Sequence, residues 1–447
     1  MRVINTIKNI SKIEELRKRI LITIGFVTVY LFGTYVVIPG VDPKDLTGLA
    51  DQTRGGLLAL LDMFSGGAFS KASIFALGIM PYISASIVMQ LVTIVIPSFQ
   101  KMQREGESGR RKINQLTRYL TVMILIVQGF AYLTNLGSTM AGAGASSLPS
   151  GLWFTVSSII IMAAGSMFVL WLGERITDKG IGNGISFIIM IGIINRLPES
   201  LAQEFSSRMN EQAGGLVMFL VEILFLLLVI AGAIALVQGQ RKVPVQYAKR
   251  IVGNKQYGGA RQYIPLKVNA ANVMPIIFAQ AIMFIPVSIV GMLKGGDAGP
   301  FWQVFMDMNS FWYNFVFAVM IIAFTYFYTA ITINPTQMAD DLKRNNGFIP
   351  GVKPGKATRD YLDGIMDRIT LPGAIFLAVV AIMPAFASLA GISMGFAQFF
   401  GGTSLLIMVG VILDTLQQVE SHLLMRHYDG LLKSGRIKGR AGAAAAY

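Results

Sequence analysis

The side chains that could do chemistry in this sequence are few and badly placed for it. None of the 447 residues is a cysteine, which removes disulfides, thiolate metal sites and thiol nucleophiles. Both histidines, His422 and His427, lie near the C-terminus, away from the long apolar runs. Inside those runs the only acids are Glu222 and Asp414. An acid at membrane depth is a functional candidate, but two solitary carboxylates with no Lys, Arg or His partner make a poor proton relay. Two phosphate-loop candidates also fail. "GVKPGKAT" (Gly351 to Thr358) has three residues between its glycines and a proline inside, and "GIGNGIS" (Gly180 to Ser186) lacks the third glycine of a dinucleotide fingerprint. A membrane-embedded enzyme therefore has no visible nucleophile, acid pair or metal set, and no cofactor is expected.

The elements that hold these residues are apolar. Hydrophobic residues make up 53% of the chain and charged ones only 14%, with a mean hydropathy of +0.59. That balance fits a polytopic membrane protein and no soluble domain. Apolar runs long enough to cross a bilayer begin near Ile20, Ile74, Leu120, Leu152, Ile181, Leu216, Val273, Phe311, Leu371 and Thr403. The expectation is an all-α polytopic membrane protein of ten transmembrane helices, forming a single membrane domain over 1–447. The start, "MRVINTIKNISKIEELRKRI", is amphipathic without a small-residue cleavage site and reads as a retained helix.

The formal charge is +14, and its distribution follows the loops. Lys101, Arg104, Arg110, Arg111 and Lys112 connect spans two and three. Arg241, Lys242, Lys249, Arg250, Lys255, Arg261 and Lys267 connect spans six and seven, with no acid between Gly239 and Lys267. Lys343, Arg344, Lys353, Lys356, Arg359 and Arg368 connect spans eight and nine, whereas Asn135 to Gly151 carries no charge at all. By the positive-inside rule the basic loops, 239–267 and 335–370, and both termini are cytoplasmic. Ten spans divide into halves of five, approximately 20–197 and 216–421. Because five is odd, the two halves have inverted topology around a shared central path. A secondary transporter with inverted repeats is the alternative, disfavoured by the scarcity of intramembrane charge.

"SGGAFSKASIFALGIMPYISASIVMQ", from Ser65 to Gln90, is poor material for an ordinary span. A glycine pair and Lys71 open it, and Gly78 and Pro81 interrupt its apolar stretch. Irregular backbone at membrane depth is tolerated where it lines a cavity or is buried in protein. Ile79 and Ile83, four apart, share a helix face.

These stretches resemble the SecY / ER translocon alpha-subunit family, the pore subunits of protein-secretion channels, and are closest to its bacterial members. "ASIFALGIMPYISASIVMQLVT" (Ala72 to Thr93) is similar to the family's second transmembrane segment, and "LWLGERITDKGIGNGISFII" (Leu170 to Ile189) to its second signature. "EGESGRRKINQLTRY", "YIPLKVN", "FYTAITINP" and "GGTSLLI" match in order along the chain. The resemblance implies a protein-conducting channel of the bacterial inner membrane, without catalysis of its own. Such a channel passes unfolded polypeptides outward and releases transmembrane segments sideways into lipid. It implies a plug over Leu58 to Phe69, including Leu61, Met63, Phe64, Gly66, Gly67 and Phe69, short and weakly held so that it can leave. It implies a pore ring of Ile79, Ile83, Ile189, Ile277 and Ile407, and lateral-gate amides at Gln90 and Asn269. Arg241, Lys242, Lys249, Arg250 and Lys353 would receive the ribosome and its RNA or the SecA motor ATPase. Lys353 stands where the family turn has Arg, and Lys lacks the bidentate fork of a guanidinium. Implied partners are SecE and SecG in a heterotrimer, SecA, the ribosome, nascent and preprotein substrates, the lipid bilayer, and SecDF and YidC.

Overall fold

The computed structural model describes residues 13–42, 62–142, 151–210, 215–247, 250–252, 255–257, 261–280, 282–283 and 310–433. Leu61 and Lys249, the first twelve residues and the tail beyond 433 lie outside the described residues. The chain forms two compact units. One comprises Met1–Arg54, Leu58–Arg196 and Val411–Tyr447; the other comprises Gly55–Leu57 and Leu197–Gly410.

The first unit is helical. Helix α1 (Glu14–Gly33) opens with Glu14 and Glu15 in its first turn, where they favour the helix dipole and pair with Lys18 and Arg19 one turn on. Helix α2 (Met80–Val95) has Pro81 in its first turn, where the missing N–H leaves no bond unmade. This corrects the expected second span: Gly78 and Pro81 precede and begin the helix and do not interrupt it. The residues from Ser65 to Ile79 are turns, apart from an isolated bridge between Ser73 and Val37. Helix α2 stops at Ile96, extended because Pro97 follows it, and the chain bends by 104° into α3 (Pro97–Arg104). Helix α4 (Glu107–Gly142) returns beside α2, and α5 (Leu152–Lys179) packs on both α4 and α1. Helix α6 (Gly184–Asn210) begins in this unit. Its core gathers Ile38, Phe69, Ala72, Leu77, Leu125, Tyr132, Leu136 and Met162. The turn segment between α1 and α2 thus contributes directly to the core.

In the second unit, α7 (Gly215–Gln238) is followed by β1 (Gln240–Tyr247), β2 (Arg250–Val252), β3 (Lys255–Tyr257) and β4 (Arg261–Lys267). A helix over 274–280, α8, comes next. Then follow α9 (Phe311–Thr332), α10 (Pro335–Arg344), β5 (Gly347–Phe348), α11 (Lys356–Leu389) and α12 (Met394–Ala397). A 3-10 turn (Gln398–Phe400) leads into α13 (Gly402–Lys433), whose later part belongs to the first unit. Among the described residues seven helices, α4, α5, α6, α7, α9, α11 and α13, are long and apolar enough to cross a membrane, and the bent α2–α3 pair is an eighth candidate. Of the other two expected spans, α1 is apolar only from Ile20 onward, and the seventh runs into 284–309, outside the described residues. Leu220, Leu224, Leu227 and Leu228 lie exposed along α7, a surface suited to lipid. Trp153 and Trp312, at the starts of α5 and α9, are exposed in the manner of interfacial anchors.

One departure from the all-helical expectation is the basic loop of 239–267, which is a sheet. Strands β1 and β4 pair antiparallel from Gln240↔Lys267 to Gln246↔Arg261, and β5 joins the other side of β1. The alternation of Val243 and Val245 sends two branched side chains to one face. There they pack with Leu266, Leu342, Ile349, Leu362 and Met366 from β4, α10, the loop after it and α11. Asn334 caps α10 by accepting hydrogen bonds from the Thr336 and Gln337 amides. This small second core explains why a loop rich in like charge is nevertheless structured. Val245→Asp would bury an unpartnered carboxylate there, at a cost of about 1–3 kcal/mol or more. Trypsin cleavage at Arg241, Lys242 and Arg261 should then speed up about tenfold or more in membranes, while the helices remain membrane-embedded.

Candidate functional site

The segment from Asp62 to Ser70 is the most unusual piece of backbone among the described residues. It makes a single helical turn over 62–64 and then a chain of turns, yet every one of its nine residues is buried. Buried turns leave carbonyls and amides without a regular ladder, so each group needs a separate partner. The segment supplies several itself. Gly67 N–H donates to Asp62 O at 2.8 Å and Gly66 N–H to Met63 O at 3.1 Å. Ser70 N–H donates to Asp62 Oδ1 at 2.7 Å, which ties the end of the segment to its beginning. Gly66 and Gly67 take φ of +68° and +86°, in the left-handed region that a glycine enters without strain. At Gly66 a side chain would also meet the Cα of Gly192 on α6 at 3.1 Å.

The remaining groups are satisfied from three surrounding helices. Tyr30 on α1 donates to Ser65 O at 3.1 Å. Tyr132 on α4 donates to Phe69 O at 2.8 Å, and its ring meets Phe69 edge-on with centroids 4.7 Å apart. On α6, Asn195 donates to Gly66 O at 3.2 Å, and Arg196 donates to Ser70 Oγ at 3.1 Å while its guanidinium pairs with the Asp62 carboxylate. After the segment, Ile38 and Ile74 amides bond to Ala72 O and Val36 O, fastening the chain to the residues that follow α1. The segment is bound on three sides, largely through its backbone. Sequence reasoning missed Tyr30, Tyr132, Asn195, Arg196 and Asp62. The available signal was the polar pair Asn195–Arg196 ending the apolar run of α6.

The other expected positions fall as follows. Met63, Phe64 and Phe69 are buried within the segment. Ile79, Ile189 and Ile407 are buried, and Ile83 and Ile277 half-buried. Ile83 N–H donates to Ile79 O at 3.1 Å, so Ile79, which caps α2, sits one turn before Ile83 on the same face. Gln90 on α2 is half-buried and Asn269, in the turns before α8, is buried; the side-chain oxygen of each has no hydrogen-bond partner among the described residues. Arg241 and Lys242 are exposed at the base of β1, and Lys353 is exposed in the turn before α11. Arg250 lies on β2.

Glu222 is not solitary, contrary to the reading of its sequence. Arg208, near the end of α6, lies 2.6 Å from it, bonds Glu204 Oε1 at 3.0 Å and donates to Gly391 O at 2.7 Å. Glu204 also accepts the Ser393 amide at 2.9 Å. This network ties α6, α7 and the turn after α11. The partner lies 14 positions away across a helix turn-around, beyond the reach of a search within one apolar run. Asp414 is exposed on α13 and accepts from Gln418 one turn on.

Residues 73–416 match the SecY family. The protein translocase subunit SecY of Streptomyces coelicolor is 42% identical over 434 residues, covering 94% of this chain and 98% of that one. Among solved structures, a protein-conducting channel superposes with a TM-score of 0.61 at 17% identity, covering 91% of this chain and 92% of that one. Sec61 from a canine ribosome-channel complex of the endoplasmic reticulum superposes with a TM-score of 0.58 at 16% identity, over 91% and 92% of the two chains.

The hydroxyl anchors lend themselves to a direct measurement. Tyr132→Phe and Tyr30→Phe keep the rings but leave a buried carbonyl unpaired, each at about 1–3 kcal/mol. Both should lower the midpoint of thermal unfolding in detergent, and the double variant should lower it by about the sum, since the two hydroxyls share no partner.

Proposed function

The chain belongs to the SecY family, and on that premise we propose that it is the pore-forming subunit of a protein-conducting channel. It passes unfolded polypeptides across the bacterial inner membrane and releases transmembrane segments laterally into lipid. Both termini and the basic sheet face the cytoplasm in this reading, in keeping with the positive loops. The observation that carries the proposal is the buried segment of 62–70, which is turns beyond its first three residues. A permanent span would be a helix; a stretch of turns packed inside a helical unit is the form a stopper takes.

In the proposed mechanism, Ile79, Ile83, Ile189, Ile277 and Ile407 collar the path. Branched aliphatic side chains hold no ordered water, so an empty collar resists ions by dewetting. They offer no hydrogen bonds, so a passing chain of any sequence slides through. Gln90 lies on one of the helices that part for lateral release, and Asn269 in the turns that lead into another. An amide contact across helices contributes roughly 1 kcal/mol in a membrane, enough to bias a gate without locking it. The channel subunit performs no bond chemistry; work is supplied by SecA or by the ribosome, docked on Arg241, Lys242, Lys249, Arg250 and Lys353. SecE and SecG complete a heterotrimer, with SecDF and YidC as further partners.

Two experiments test this reading. Changing Ile79, Ile189 and Ile407 together to Asn gives water hydrogen-bonding partners in the collar, so small-ion leak across planar bilayers should rise while polypeptide transport is largely retained. The matching triple Val variant keeps the apolar wall and should stay sealed. Equal and negligible leak in both would place these residues away from the path.

Docking is tested by converting Arg241, Lys242, Lys249 and Arg250 to Glu. Ribosome binding to proteoliposomes should weaken at low salt, and the remaining binding should depend less on salt, by about one unit of log–log slope for each phosphate contact removed. Unchanged affinity and slope would move the docking surface elsewhere.

A further inference from the structure

Of the described groups that hold the 62–70 segment, one pair is ionic on both sides. Tyr30, Tyr132 and Asn195 each donate to a neutral backbone carbonyl, an interaction that depends little on which side chains the segment carries. Asp62 and Arg196 are different. The Asp62 side chain is fully buried, and one of its oxygens accepts the Ser70 amide at 2.7 Å while the other faces the Arg196 guanidinium. Arg196 reaches past Asp62 to Ser70 Oγ at 3.1 Å. One side chain on α6 therefore grips the first and the last residue of the segment at the point where the segment closes on itself.

The solvent exposure of the two partners is unequal, and this decides what the pair can do. A buried carboxylate deprived of its counter-charge is strongly destabilised. The Arg196 side chain keeps 25% of its surface exposed, so its charge can be hydrated without moving. Nearby Lys71 is engaged elsewhere, its ammonium 3.6 Å from the centre of the Tyr35 ring. We propose that Asp62 and Arg196 form an ionic latch that sets how tightly the 62–70 segment is seated. When the segment leaves, Asp62 exchanges the guanidinium for water and Arg196 stays on α6, solvated and ready to recapture it. This inference rests on reading the segment as a plug. Within that reading it assigns the resting seal of this chain to one charge pair, with Asp62 and Arg196 as positioning residues that act on the path through the segment.

The test is a double-mutant cycle on the full chain in planar bilayers, with resting ion conductance as readout. Asp62→Asn keeps an oxygen for the Ser70 amide while removing the charge, and Arg196→Gln removes the other charge. Each should raise resting conductance about tenfold, less than for a fully buried pair because Arg196 is partly solvated. The double variant should leak no more than either single one, since each change has already opened the same latch. Arg196→Lys, which keeps the charge, should restore most of the seal. Singles that leave conductance unchanged, or that add up in the double variant, would overturn the latch. If the double variant is unstable, Arg196→Gln against Arg196→Lys decides: equal sealing in both overturns the proposal. A variant lacking residues 62–70 separates the two levels. If it leaks and the point variants do not, the plug stands and the latch falls; if it does not leak, the plug reading itself fails.

Discussion

A backbone polar group removed from water must find a partner inside the protein, and at membrane depth no solvent stands in for a missing one. Helices meet that requirement internally, which is why most of this chain is helical. The stretch from Asp62 to Ile79 does not, and the architecture around it follows from the shortfall. Two tyrosines and an asparagine on α1, α4 and α6 are placed where they donate to its free carbonyls. Without those donors, three buried carbonyls would each carry a desolvation cost of about 1–3 kcal/mol, and an irregular segment could not remain inside the unit.

Close approach is the second requirement, because a donor on a helix reaches a carbonyl only if backbones nearly touch. Gly192 lets α6 come within van der Waals distance of Gly66, and a Cβ at Gly165 on α5 would stand 2.2 Å from Ile74 O. The small residues in these helices are thus spacing devices, in the way small residues let membrane helices pack tightly. The aromatic residues fill what the glycines leave open: Tyr30 and Phe168 both lie within stacking distance of Phe75.

The parts legible in the sequence were those with a long or periodic signal. Apolar length marked the long helices, since it sums over many residues. Ile79 and Ile83 were read correctly as one face because helical spacing is local. The start of α2 was misplaced because Pro81 was taken as an interruption of a helix that in fact begins there. The basic loop of 239–267 hid its sheet because β1 alternates over only three positions, Val243 to Val245, among charged neighbours. The partners of Asp62 and Glu222 were invisible for a different reason. Each lies on another helix, 134 positions away for Arg196 and 14 for Arg208, and no pattern within one element encodes such a pairing.

Those two ion clusters show how similar residue types can serve opposite ends. Glu204, Arg208 and Glu222 have side chains exposed by 9% or less, and they clasp α6, α7 and the turn after α11 from both sides. Releasing any member would strand a buried charge, so this cluster is suited to permanence. Asp62 and Arg196 link a helix to a segment anchored otherwise by neutral hydrogen bonds, and one partner already touches solvent. In the proposed plug, separation would leave both charges hydrated, and the cost of parting would be bounded. A device that must open and close needs an attraction of that limited size: strong enough to choose the seated state, weak enough that an arriving chain can replace it.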